Sequence, residues 1–136
     1  MPDIRYLTGT AGELLCASYL AFRGMNVYRP MTPSKRDLLI HNPNKNFFYG
    51  VQVKTQKALN ETDRKETRYR YSFFKRGQGY STFDVPIFCM VASDLQLMLF
   101  ELNDGKDSYM LKDYEFTKEA QEKSFDALIK KINYYD

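Results

Sequence analysis

Asp37-Leu38-Leu39-Ile40-His41-Asn42-Pro43-Asn44-Lys45-Asn46-Phe47-Phe48-Tyr49-Gly50-Val51-Gln52-Val53-Lys54-Thr55 decides the fold. Asp37 to His41 has an apolar middle, Leu38-Leu39-Ile40, and reads as a strand, while His41-Asn42-Pro43-Asn44 is a turn signal. Phe47 to Thr55 then alternates: Phe47, Tyr49, Val51 and Val53 point one way, and Phe48, Gly50, Gln52 and Lys54 the other. If the two strands pair through the turn, Asp37 comes nearly opposite Gln52, since each lies about five residues outside it. A carboxylate, an amide and an ammonium group then share one neighbourhood.

Upstream, Leu7 to Phe22 reads as a helix, with Thr8 or Thr10 near its start and Gly24 just past its end as a stop. Leu7, Ala11, Leu14, Leu15, Ser18 and Phe22 form its expected inward stripe. Cys16, Ala17, Leu20 and Ala21 make the other face apolar or small as well, and Glu13 is the only charged residue of the segment. A helix apolar nearly all round is expected to be buried, and a carboxylate on it is expected to be paired or metal-bound, because an unpaired buried charge is costly. Met25 to Arg29 reads as a short strand and Pro30 to Lys35 as a turn.

Downstream, Val85 to Ala92 and Leu95 to Leu102 read as two strands joined at Ser93-Asp94, the first starting at a sheet margin because of Pro86. Phe125, Leu128, Ile129 and Ile132 recur at helical spacing, which predicts an amphipathic helix over Thr117 to Ile132 with Thr117 as N-cap. Between these parts, Lys57 to Thr82 has no sustained apolar period and reads as a long excursion, with a short hairpin around Tyr69 to Phe74. It holds Lys57, Arg64, Lys65, Arg68, Arg70, Lys75 and Arg76 against three acids, a balance of +4 that leaves the rest of the chain at −1. Interleaved with Tyr69, Tyr71, Phe73, Phe74 and Tyr80, these cations suit a nucleic-acid backbone, with the aromatics either stacking on bases or packing inward under a solvated hairpin.

A chain of 136 residues is expected to form one domain, here an α/β layer fold with a central mixed sheet flanked by helices. With 43% apolar and 27% charged residues, intrinsic disorder is not expected. No apolar run approaches the roughly 18 residues of a membrane span, and no signal-peptide pattern is present, so a cytoplasmic protein is expected. Cys16 and Cys89 lie in no CxxC pair and beside no His, which argues against zinc-ligand spacing and a disulfide framework and for packing roles.

Phosphodiester hydrolysis needs a divalent cation, carboxylates to hold it and a cation to stabilise developing charge. Gly12-Glu13, Asp37-Leu38-Leu39-Ile40 and Val51-Gln52-Val53-Lys54-Thr55, in the order helix, strand, Asp-bearing strand, Lys-bearing strand, resemble the PD-(D/E)XK nuclease superfamily over residues 7 to 55. That superfamily has the restriction-endonuclease-like fold of restriction enzymes, Holliday-junction resolvases and some homing endonucleases, and Phe83-Asp84 before a strand also fits. The resemblance implies Mg²⁺, with Mn²⁺ able to replace it. Asp37 would be the principal ligand, Gln52 would stand at the position usually held by an acid, Val53 would offer its carbonyl, and Lys54 would orient the attacking water. Glu13 would match the helix-borne acid of the resolvase-like branch. It further implies DNA as partner and a homo-oligomer, dimer or tetramer. The sequence departs from the pattern at two points: Pro33 stands four residues ahead of Asp37, and Gln52 offers a neutral oxygen without charge.

Three functions follow in order. The first is a metal-dependent DNA endonuclease, the second a DNA-binding protein with the same fold whose cleavage was lost with the acid at position 52, and the third an interaction module in which the basic stretch is incidental. His41, at a strand end beside Asn42-Pro43, is expected to be structural. DNA specificity and biological role are not readable from one chain.

Overall fold

The computed structural model describes residues 3–32, 34–42, 44–59, 67–75 and 78–132, with the backbone alone at 75 and 78. Helix α1 (Ile4–Phe22) is followed by strands β1 (Asn26–Tyr28), β2 (Leu38–Asn42) and β3 (Phe47–Gln56). Then come β4 (Arg68–Ser72), the two-residue strands β5 (Phe74–Lys75) and β6 (Gln78–Gly79), β7 (Ile87–Ala92), β8 (Leu97–Leu102) and β9 (Ser108–Lys112). A 3₁₀ turn at Asp113–Glu115 leads into helix α2 (Lys118–Lys131).

A five-stranded sheet in the order β1-β2-β3-β7-β8 forms the centre. It is mixed, because β3 and β7 run parallel while every other neighbouring pair is antiparallel. The β2–β3 register runs from Asn42 opposite Phe47 to Leu38 opposite Val51. The turn forms because the Asn42 side chain accepts the Asn44 N–H at 2.9 Å while its carbonyl accepts the Lys45 N–H at 3.1 Å.

Alternation along β3 and β7 divides the interior in two. Val51, Val53, Ile87, Cys89 and Val91 meet Cys16 and Leu20 of α1 and Phe125, Leu128 and Ile129 of α2. Phe88, Met90 and Ala92 face the other way, against Tyr69, Tyr71, Phe73, Tyr109 and Phe116. Every residue of β7 is buried, as expected of a strand covered on both faces. The outer edge of β8 is closed by α2, whose Gln121 and Ser124 side chains accept the Met98 and Phe100 N–H groups at 2.9 and 3.1 Å. Thr117 caps α2 as expected, accepting the Ala120 N–H at 3.0 Å.

Helix α1 turns a different face inward from the one its large aliphatics suggest. Gly12, Cys16 and Leu20 are buried, whereas Leu14 is 54% and Phe22 88% exposed. Contact distance decides this: a Cβ at Gly12 would lie 1.8 Å from the Thr55 hydroxyl, so only the small-residue face lets the helix lie this close to β3. The expectation of an all-round buried helix therefore fails. The N-cap also differs, being Asp3, whose carboxylate accepts the Arg5 N–H at 2.9 Å, while Thr8 donates back to the Ile4 carbonyl inside the helix. Gly24, at φ 86°, ends the turn after the helix.

The excursion is the second correction. Residues 68–72 do not fold back on a neighbouring segment as a hairpin but pair antiparallel with β9, a strand the hydrophobic pattern did not announce. Tyr69, Tyr71 and Phe73 are 0–1% exposed, so the inward-packing alternative holds for them and base stacking does not. The Tyr69 hydroxyl lies 3.0 Å from each Asp94 oxygen, and the Tyr71 hydroxyl donates to the Val91 carbonyl at 2.7 Å. Arg64, Lys65 and Arg76 lie outside the described residues, as does the Lys75 side chain.

Candidate active site

One residue beyond the Leu38–Val51 pair, Asp37 leaves the ladder, and its N–H donates to the Val51 carbonyl at 2.9 Å. Its side chain does not point away to water. The Oδ2 atom accepts the Val53 N–H at 2.8 Å, which holds the carboxylate against the end of the antiparallel ladder. Glu13 reaches the same corner from α1, with its side chain 21% exposed and its Oε2 accepting from Arg29 Nη2 at 2.9 Å. Arg29 stands just past β1, at the strand end that lies beside the start of β2.

The charges at this corner act on each other. Burial above all pushes the Asp37 carboxyl up to about 6; the adjoining Glu13 carboxylate raises it further, while the Val53 hydrogen bond and the Lys54 charge pull against them. Asp37 thus lies within electrostatic reach of both Glu13 and Lys54. Gln52 is 7% exposed and lies on the same sheet face as Lys54, paired in register with Phe88.

An open cavity of about 830 Å³ lies against this corner, with Glu13 and Asp37 in its wall beside Arg29, Lys35 and Arg36. Arg29 and the cavity-facing cations of the 29–37 connection were missed in the sequence, where Pro30 to Lys35 reads only as a turn. Arg36 is partly committed, since its Nε donates to the Asp84 carbonyl at 2.8 Å and its Nη2 pairs with the Asp84 carboxylate at 2.9 Å. Gly50 makes room for this clasp, because a Cβ there would lie 2.2 Å from the Asp84 carbonyl oxygen. Asp84 therefore serves to pin the loop.

The donors fit a hard divalent cation of the magnesium type, which keeps several waters and takes only one or two carboxylates. Asp37 and Glu13 supply two, and the Gln52 amide and the Val53 carbonyl are neutral oxygens of the same hard class. Among the described residues no group of three or more His, Cys, Asp or Glu converges, so a ligand set rich in acids or in nitrogen and sulfur is absent from them. Of the predicted DNA-contacting cations that are described, Arg70 is exposed on the outward side of β4, Arg68 is half-buried on that side, and Lys57 is exposed just after β3.

A mixed five-stranded sheet with helices packed on one face and a carboxylate pair at the β2–β3 corner is a nuclease-like α/β fold. No family model and no curated protein matches the chain. Among solved structures it is similar to that of a bacterial homing endonuclease, I-Ssp6803I, with a TM-score of 0.67 and 15% sequence identity over 96% of this chain and 97% of that one. At such identity the likeness establishes the fold. No helix among the described residues is long and apolar enough to cross a membrane.

Proposed function

We propose that this chain is a metal-dependent endonuclease that hydrolyses DNA phosphodiester bonds, a reading of the PD-(D/E)XK type. The observation that carries it is the meeting of Asp37, Glu13 and Lys54 at one corner, with Asp37 held by the Val53 N–H. Asp37 and Glu13 would hold Mg²⁺ or Mn²⁺, with the Gln52 amide and Val53 carbonyl completing the set. The bound ion supplies Lewis acidity and a water of lowered pKa. Lys54 would orient the attacking water and offset the charge developing on the phosphate oxygens. Arg29 and Lys35, lining the cavity, neutralise phosphates that flank the scissile one, and Lys57, Arg68 and Arg70 extend the cationic track.

One site cuts one strand, so a double-strand break calls for a homo-oligomer, dimer or tetramer.

The test is incubation of the purified chain with supercoiled, linear and branched DNA in Mg²⁺, Mn²⁺ or chelator. We expect metal-dependent nicking or cleavage that falls by at least about 10³-fold in Asp37→Ala and Lys54→Ala. Cleavage that survives both substitutions would sink the assignment of the site. A second reading, DNA binding without cleavage, draws on the neutral Gln52 and on the Arg29 guanidinium held by Glu13. Salt-sensitive DNA retardation with no cut product in either metal would favour it.

A further inference from the structure

Tyr80 stands apart from the other tyrosines of the excursion. The hydroxyls of Tyr69 and Tyr71 are engaged by Asp94 and the Val91 carbonyl, whereas the Tyr80 hydroxyl makes no hydrogen bond to another described residue. Its backbone is nevertheless firmly held. Asn103, 4% exposed, donates from Nδ2 to the carbonyls of Tyr80 at 3.0 Å, Ser81 at 3.4 Å and Val85 at 2.8 Å, and its N–H donates to the Pro86 carbonyl at 2.8 Å.

That clamp sets the ring edge-on to Phe88, with centroids 6.3 Å apart. Phe88 is the register partner of Gln52, and Asp37 is hydrogen-bonded to the backbone of Val51 and Val53, on either side of Gln52. The ring therefore rests on the sheet face that carries Gln52 and Lys54, against the strand next to the one that holds Asp37. A phenol, with an ordinary pKa of about 10, carries its proton at neutral pH and can donate it.

We propose that the Tyr80 phenol is the general acid of the reaction, protonating the sugar oxygen that leaves phosphorus. This rests on the endonuclease reading above. The attacking water forms a P–O bond as the P–O bond to the sugar breaks, and the electron pair of that bond goes to the departing oxygen. The phenol O–H proton passes to that oxygen and makes a hydroxyl. The proton lost by the attacking water goes to solvent, and the phenolate recovers one from solvent. The direction is favourable, because an alkoxide is a far stronger base than a phenolate.

Tyr80→Phe keeps the ring on Phe88 and removes only the hydroxyl. After the cut position of the wild-type protein has been mapped, both proteins are compared on ordinary DNA and on the same duplex with sulfur as the bridging leaving atom. A thiolate departs without a proton. On ordinary DNA kcat is expected to fall about 100-fold, as for loss of a general acid, with KM and Mn²⁺ affinity unchanged. On the sulfur-bridged duplex the two proteins are expected to agree within about threefold, since no acid is needed there. Equal losses on both substrates, or no loss on either, would overturn the role of Tyr80 while leaving the endonuclease reading intact. A wild-type protein that cuts neither duplex would overturn both.

Discussion

The two faces of the central sheet are closed by different chemistry. On one face, two helices lay Cys16, Leu20, Leu128 and Ile129 against Val51, Val53, Ile87 and Val91, an interior that is mostly aliphatic. On the other, a two-stranded ribbon lays Tyr69, Tyr71, Phe73 and Tyr109 on Phe88 and Met90, an interior that is mostly aromatic. The helical cover is local: α1 directly precedes the strands it covers, and α2 closes the edge of β8. The ribbon is assembled from β4 and β9, 40 residues apart. At the β2–β3 corner, beside the open cavity, the polar groups collect.

Both interiors share β7, whose residues alternate between them, so damage to either should unfold the whole molecule. The largest effect is expected from Phe73→Ala, because Phe73 is fully buried and stacks on Phe88 with centroids 3.8 Å apart. A loss of about 3–5 kcal/mol is expected there, and about 2–5 kcal/mol for Leu20→Ala on the helical face. Chemical denaturation followed by far-UV dichroism and by tyrosine fluorescence should give one coincident transition for each variant. If the tyrosine signal of Phe73→Ala melted ahead of the helical signal, the two covers would be separate units and the shared-strand account would fail.

The polar corner carries its own cost. Asp37 titrates near 6 in the folded chain, against about 4 when unfolded. Between those values the folded state holds a proton that the unfolded state has released. The stabilisation is full below about pH 4 and is lost as pH rises through about 6. Asp37→Asn, which abolishes the charge and can still accept the Val53 N–H, should therefore stabilise the protein free of divalent ions at pH 7.5. The two-unit shift corresponds to roughly 2–3 kcal/mol. The advantage should shrink to near nothing at pH 4, and thermal melts at the two pH values measure it. An equal gain at both would mean that Asp37 is not held in a charge-averse setting, and the trade of stability for function argued here would not apply.

How far the sequence reveals the molecule follows the same divide. Alternation over Phe47 to Thr55, the apolar middle of 38–40, the turn at Asn42 and the spacing of Phe125, Leu128 and Ile129 all report contacts with near neighbours. These parts form as expected, and Asp37 bonds to the backbone of Val51 and Val53 on either side of Gln52. Residues 108–112 carry no clean pattern of their own, because their strand partner is remote and their outward face, including Met110, stays partly in solvent. Tyr69, Tyr71 and Phe73 alternate with polar residues in a way that suits stacking on bases as well as burial, so only the topology decides. Arg29 joins the corner through a three-dimensional neighbour, Glu13, and nothing in its local sequence marks it. In α1 the pattern misleads, since side-chain size points to Leu14 and Phe22 while the close approach to Thr55 selects Gly12 and Cys16.

The smallest expected effect tests that last reversal. Phe22 is 88% exposed and Leu14 54% exposed, on the side of α1 turned away from the sheet. Replacing either with Ser removes little buried area, so stability should move by no more than about 0.5 kcal/mol, roughly the helix-propensity difference and far below Leu20→Ala on the opposite side. Thermal melts of the two variants beside the parent, repeated over a hundredfold range of protein concentration, give the measurement. A loss well above 1 kcal/mol that grows with concentration would mean that the outer face of α1 is covered in solution by a second copy, because only association makes stability depend on concentration. A large loss independent of concentration would put the helix back in the orientation its large aliphatics suggest. It would also withdraw Glu13 from the corner, since Glu13 lies one residue from Gly12 and reaches Asp37 only while that face of the helix rests on β3.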